Sequence, residues 1–356
     1  AGAKGIFWIP PATSVPCAST SSSSSGIGEK ETRGRVSVWI LQGGNAMVAL
    51  DWLAFLPYLL QRPSIEVQDE VPKEATGFLL VDYPSYGDCE GTPSPATCGE
   101  TAETALLTLL EGLKEGNGSL GGVSEVELNF FGHSIGSASV LQLAVNLLEE
   151  AASDSSGKEK GTPTTGTVEA RVLSEAEEGK REGTLRVRPG RVVLVSPFSS
   201  MVDMVGTLLP FIPRPLARRL LKHRWDNEES MRRLGASLKV VGNAPVLELE
   251  KGRAELTQAR SEETSSSSSP SPLSVSILHG TADEIVPFRQ GKQVFETAQK
   301  ALEGTGVAVK FDELPGGDHN SCIARFIDKV VGAMFGLPSS ASFASASSER
   351  PAESSL

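Results

Sequence analysis

One short turn restricts the fold of this chain more than any other feature. Glu127-Leu128-Asn129-Phe130-Phe131 runs straight into Gly132-His133-Ser134-Ile135-Gly136, which runs into Ser137-Ala138-Ser139-Val140-Leu141. A strand that becomes a helix through one pentapeptide sets the middle residue on a tight, strained bend with its side chain exposed. Side chains at positions 132 and 136 would collide with the neighbouring strand and helix, so the bend requires glycine there. The pattern predicts a strand over 126–131 and a helix over 134–149. It also sets the Ser134 hydroxyl beside the Ile135 amide and the positive end of that helix.

The rest of the chain repeats the alternation of strand and helix. Apolar runs at 36–41, 77–83, 126–131, 191–196, 274–279 and 307–314 read as strands, and helical patterns follow at 48–60, 101–115, 134–149, 288–302 and 320–335. Near-continuous apolar strands separated by helices imply an α/β fold, with a mostly parallel central sheet flanked by helices. Polar, low-complexity stretches at 19–31, 151–190 and 250–272 cannot bury enough apolar area to offset their ordering entropy, and are expected as surface insertions. The domain reading is a partly disordered segment over 1–35, one domain over 36–337 with a small cap at 197–235, and a disordered tail over 338–356.

Composition narrows the function. With 39% hydrophobic and 22% charged residues the chain has the make-up of a folded soluble protein. A formal net charge of −11 without an aromatic and basic groove argues against nucleic-acid binding. The four cysteines, Cys17, Cys89, Cys98 and Cys322, have no zinc-like spacing, and reduced thiols are expected. The four histidines form no ligand cluster, so neither metal nor cofactor is implied. No apolar run of about 18 residues occurs, so no transmembrane segment is expected. The first residue is Ala1 rather than Met, which a removed upstream segment would explain. Composition leaves the compartment open between the cytoplasm and a membrane periphery.

A strand, a G-x-S-x-G turn and a helix make the nucleophile elbow of the α/β-hydrolase fold, with Ser134 as candidate nucleophile. Of the histidines, His133 lies inside the elbow, His223 in a basic helical stretch and His279 at a strand end. His319, in Gly316-Gly317-Asp318-His319-Asn320, follows the last strand and is the expected base. The acid is expected in the loop after the preceding strand, where His279-Gly280-Thr281-Ala282-Asp283-Glu284 offers Asp283. Glu284 and Asp318 are the weaker alternatives. Two amides would hold a developing oxyanion, one from Ile135 and the other from Gly44 or Asn45 in Gln42-Gly43-Gly44-Asn45-Ala46.

These pieces resemble the α/β-hydrolase-domain proteins, in the branch of serine aminopeptidase-like hydrolases and membrane-associated protein depalmitoylases. The resemblance rests on Gly43-Gly44-Asn45-Ala46, Val81 to Gly87 continuing through Glu90-Gly91-Thr92-Pro93-Ser94, the elbow, Val195-Ser196-Pro197-Phe198, His279 to Pro287, and Gly317-Asp318-His319-Asn320. It spans 36–335 in the family's order. It implies hydrolysis of a carboxylic ester or thioester through an acyl-enzyme, with Ser134, His319 and Asp283 as the triad. An amide hydrolase of the aminopeptidase kind and a catalytically silent binding scaffold are the alternatives. Two departures bear on substrate preference: Gly43-Gly44 stands where many relatives have His-Gly, and Ser85 where glycine is usual. The N-terminal cysteine cluster that anchors the depalmitoylases is absent, which leaves an acylated protein as a substrate implied by the family alone.

The segment 197–235 pairs apolar residues, Met201 to Ile212, with Arg214, Arg218, Arg219, Lys222 and Arg224. It suits a small-molecule or lipid-like acyl substrate and peripheral membrane contact, but an ordinary amphipathic helix packed on the sheet, its arginines solvated, is the simpler reading.

Overall fold

The computed structural model describes residues 6–9, 34–60, 75–115, 123–155, 185–242, 245–249, 256–258 and 273–337. The strands are β1 (Ile6–Ile9), β2 (Gly34–Gln42), β3 (Ala75–Val81), β4 (Val123–His133), β5 (Leu185–Val195), β6 (Leu247–Leu249), β7 (Leu256–Gln258), β8 (Ser274–Gly280) and β9 (Ala308–Leu314). The α-helices are α1 (Leu56–Leu60), α2 (Pro95–Glu115), α3 (Ile135–Ser155), α4 (Met201–Leu208), α5 (Arg214–Leu220), α6 (Asn227–Val241), α7 (Phe288–Ala301), α8 (Cys322–Arg325) and α9 (Ile327–Phe335).

Among the described residues these strands form one nine-stranded sheet. Its central run, β3-β2-β4-β5-β8-β9, is parallel throughout. β1 lies antiparallel on β3, while β6 pairs antiparallel with the start of β5 and carries β7. This is the α/β-hydrolase arrangement that the resemblance implies.

Alternation along each strand decides the layers, because successive side chains point to opposite faces. Val36, Val38 and Ile40 of β2, with Val126, Leu128 and Phe130 of β4, meet α2, α3, α6 and α7. Trp39, Leu41 and Phe131 face the other way, toward Trp52, Leu56, Ile323 and Val330. Burial on both faces is why these strands read as continuous apolar runs.

Several expected bounds shift, each for a local reason. The helix expected over 48–60 is a 3-10 turn over Ala49–Ala54 followed by the short α1. There Asp51 Oδ2 accepts from the Val48 amide and Asp82 Oδ1 from the Ala49 amide, which fixes a tight first turn. The helix expected from residue 101 starts earlier, at Pro95, where Ser94 Oγ accepts from the Thr97 amide and proline needs no donor. The final helix breaks at Phe326 into α8 and α9.

The stretches read as insertions are likewise shorter than expected where they can be described. α3 continues to Ser155 and β5 begins at Leu185, before Pro189 and Gly190. The ladder between β4 and β5 shifts register there, and Asn129 Oδ1 accepts from the Arg191 amide in place of a backbone partner. β7 lies within the stretch 250–272 and pairs with β6, and β1 lies within 1–35. The remainder of the low-complexity stretches, Cys17 and the tail over 338–356 lie outside the described residues. Cys89, Cys98 and Cys322 are free thiols.

Candidate active site

The elbow folds as its glycines require. Ser134 adopts φ +54°, its amide donates to the Val195 carbonyl, and α3 begins at the next residue. A Cβ on Gly132 would fall 2.4 Å from the Gly136 carbonyl oxygen, and one on Gly136 2.1 Å from that of Gln42. Both are far inside van der Waals contact, so the backbone can pack this way only with glycine at each position. Ser137 Oγ braces the bend by donating to the carbonyls of Gly132 and Val195.

Three expected side chains, separated widely in sequence, meet here. His319 Nε2 lies 2.9 Å from Ser134 Oγ, and His319 Nδ1 lies 2.8 Å from Asp283 Oδ2. The carboxylate is an acceptor only, so Nδ1 carries the proton and Nε2 presents a lone pair to the serine hydroxyl. All three residues are buried, with Ser134 9% exposed. Asp283 is held on every side: Oδ1 accepts from the Ile285 and Val286 amides, and His279 Nε2 stands 3.4 Å from Oδ2. Burial pushes the Asp283 carboxyl up, but hydrogen bonds from His279 and His319, the electrostatic pull of the nearby His319 ring and the Val286 amide outweigh it. The net effect holds the group well below the usual carboxylate range.

The other carboxylates considered sit apart from this relay. Glu284 is exposed. Asp318 accepts from the Asn320 and Ser321 amides and so shapes the turn that carries His319.

Two supports of the relay come from histidines that the sequence placed as neighbours without giving them partners. His133 Nε2 donates to the His319 carbonyl across 3.1 Å, tying the elbow to the turn that presents the imidazole. Burial first, then the proximity of His319, lowers His133 to about 3, so its ring stays neutral. His279 Nε2 also lies 2.8 Å from the Val286 carbonyl and thus pins the Asp283 loop at both ends. The spacing of His279 and Asp283 around Gly280 was the available signal for that contact.

Of the expected oxyanion donors, Ile135 is the first residue of α3, where helix amides lack intrahelical acceptors. The Gly44 amide points at the Met47 thioether, 3.3 Å away. Gly44 also passes close to the elbow: a Cβ there would lie 3.1 Å from His133 Nδ1 and 3.5 Å from Ser134 Cβ. Asn45 follows it, with Oδ1 accepting from the Tyr86 hydroxyl at 2.6 Å. Tyr83 donates to the Gly43 carbonyl at 2.7 Å, so two tyrosines hold this loop.

Beside Ser134 lies an apolar flank in which Ile135, Met201 and Met204 pack against Tyr83, Phe198, Trp225 and Val286. The segment 197–235 therefore reaches the site through α4, while Asp226 caps α6 by accepting from the Glu229 amide. Among the described residues no group of His, Cys, Asp or Glu has an arrangement suited to a metal ion. The arrangement can pass a proton from a hydroxyl to an imidazole whose orientation a carboxylate fixes.

Comparison with known proteins gives likenesses of fold at low identity. No curated protein matches the sequence. Solved structures that resemble the chain include acyl-protein thioesterase 2 of Zea mays, at 10% identity and TM-score 0.39, over 93% of this chain and 98% of that one. An esterase of Pyrococcus furiosus gives 12% identity and TM-score 0.41, over 85% and 82% of the two chains. A monoacylglycerol lipase of Paleococcus ferrophilus gives 14% identity and TM-score 0.40, over 86% and 97%. A family model described as the alpha/beta hydrolase family matches residues 43–331.

Proposed function

The chain belongs to the alpha/beta hydrolase family, and from that premise we propose that it is a serine hydrolase that cleaves a carboxylic ester or thioester through an acyl-enzyme. The observation that carries this reading is the continuous relay from Ser134 Oγ through His319 to Asp283, with contacts of 2.9 and 2.8 Å.

In the proposed reaction Ser134 Oγ attacks the acyl carbon while its proton passes to His319 Nε2. Asp283, kept ionised by its hydrogen bonds, stabilises the imidazolium. Collapse of the tetrahedral intermediate breaks the bond to the leaving oxygen or sulfur, which takes the proton from Nε2. Water then enters, gives its proton to the same nitrogen and releases the acid, which restores Ser134. The Ile135 amide holds the oxyanion from the elbow side. Engagement of the Gly44 amide by Met47 favours Asn45 for the second donor. The apolar flank of Ile135, Met201 and Met204 suits an acyl chain, since unbranched methionines adapt to variable shapes.

Labelling of the purified chain by a fluorophosphonate probe tests the nucleophile. The wild type is expected to label and Ser134→Ala to remain unlabelled; equal labelling of both rejects the assignment. A series of nitrophenyl esters of increasing acyl length, run beside aminoacyl amides, tests the substrate class. Turnover of the amides alone rejects the ester reading.

A further inference from the structure

The segment that reaches the site through α4 turns a different surface outward. α4 contributes Met201, Val202 and Met204 to the interior, and α5 buries only Ala217. Beyond those contacts Leu208, Leu209, Phe211, Leu216 and Leu220 stand exposed, Phe211 by 77% and Leu220 by 65%. Five of the nine large apolar side chains exposed among the described residues thus fall within this one short stretch. Clustering of that kind marks an interaction surface, since isolated apolar residues would be scattered.

Charge identifies the kind of partner. Between Asp203 and Asp226 the sequence has Arg214, Arg218, Arg219, Lys222 and Arg224 and no carboxylate, in a chain whose formal net charge is −11. Arg214 is paired with Asp203. Arg218, Arg219, Lys222 and Arg224 are all exposed. Leu216 and Leu220 stand four residues apart and share one side of α5, with Arg219 beside Leu216 and Arg218 turned away. Large apolar side chains interleaved with cations suit a lipid interface, where the first enter the acyl boundary and the second meet phosphates. The local excess of positive charge opposes the sign of the whole molecule, which restricts a negatively charged surface to this face.

We propose that the α4–α5 segment docks the protein peripherally on an anionic phospholipid bilayer. Among the described residues no helix is long and apolar enough to cross a membrane. The inner face of α4 shares its cluster with Ile135, the residue after Ser134, so the docked segment is joined to the candidate site through α4.

Co-sedimentation of the full chain with vesicles tests this, using phosphatidylcholine alone and phosphatidylcholine with about 30% phosphatidylserine, a mixture with the negative surface potential on which such binding depends. Binding is expected to the anionic vesicles only, and to fall as salt rises. Each cation near such a surface is worth about a fivefold change in partition, so Arg218→Glu with Arg219→Glu should reduce it about 25-fold or more. Phe211→Ser with Leu220→Ser should also abolish sedimentation, and both pairs are exposed enough to leave the circular dichroism unchanged. Should either pair unfold the chain, Lys222→Glu with Arg224→Glu replaces it. Ser134→Ala must bind as the wild type does, which separates this surface from the hydrolase reading. Absence of binding to anionic vesicles, or binding insensitive to the variants, overturns the proposal. So does a dimer in solution that the apolar pair breaks, because the patch is then a contact between copies.

Discussion

Tyr86 donates its phenolic hydrogen to Asn45 Oδ1 across 2.6 Å, and its ring meets that of Tyr83 edge to face, with centroids 5.4 Å apart. Through these two residues the loop after β3 grips the loop after β2. The Tyr83 hydroxyl reaches the Gly43 carbonyl, and burial raises its pKa well above the usual value, so it stays a donor at any working pH. On the proposed mechanism, Tyr86→Phe loosens Asn45 without touching Ser134. Hydrolysis of a nitrophenyl ester should fall about tenfold in kcat with little change in KM, below the roughly 100-fold or greater loss of a whole oxyanion donor. A change confined to KM would assign Tyr86 to substrate binding instead.

Replacement of Asp283 by Asn is the sharpest test of the relay. The amide keeps the shape but no longer requires a proton on Nδ1, so His319 can present the wrong tautomer to Ser134. Turnover is expected to fall about 10⁴-fold, as for an equivalent change in a serine protease triad. Slow fluorophosphonate labelling should survive, because the hydroxyl is still present. Activity within about tenfold of the wild type would exclude a positioning role for Asp283, since misplaced catalytic groups commonly cost 100-fold or more.

The elbow, the strands and the order Ser134, Asp283, His319 were legible because each leaves a local mark. Buried parallel strands are apolar throughout, and a strand-to-helix bend needs its glycines. What was not legible depends on contacts distant in sequence. Pro189 and Gly190 look like loop residues, yet they lie in β5 because Asn129 supplies the bond that the bulge breaks. The very short β1, β6 and β7 carry too few residues to show a pattern, and owe their place to β3 and β5. The place of His133 inside the elbow is plain from the sequence, but its partner is not. Its bond to the His319 carbonyl joins residues separated by most of the domain, and no local spacing encodes it.

The burial of His133 leads to a pH effect on stability, against which its bond to the His319 carbonyl works. In the unfolded chain a histidine takes up its proton below about pH 6.5, whereas His133 in the fold stays neutral until about 3. Between those values the unfolded state holds the additional proton. The contribution is therefore complete above pH 6.5 and is lost as the pH falls toward the folded value. From pH 7 to pH 5 the unfolding free energy measured in urea should drop by about 2 kcal/mol on this account. His133→Gln keeps a donor for the His319 carbonyl but cannot ionise, and should flatten that slope. An unchanged slope in the variant would assign the effect to other groups. Asp283, whose pKa is lowered, adds a separate loss that sets in as the pH falls through the ordinary carboxylate range, so between pH 7 and pH 5 the slope belongs to His133 rather than to Asp283.

Ser85 provides a test at a site away from the relay. The family resemblance implies glycine at this position, and Ser85 adopts φ +68°, a left-handed conformation that costs an L-residue about 1–2 kcal/mol. The residue is exposed, so replacement removes no buried packing. Glycine relieves the strain but adds roughly 0.5–1 kcal/mol of unfolded-chain entropy. Ser85→Gly should therefore stabilise the fold by up to about 1.5 kcal/mol, read as a higher Tm, with fluorophosphonate labelling unaltered. A lower Tm would mean that the serine makes an interaction worth more than its backbone strain, and that its departure from the family pattern is a gain in stability.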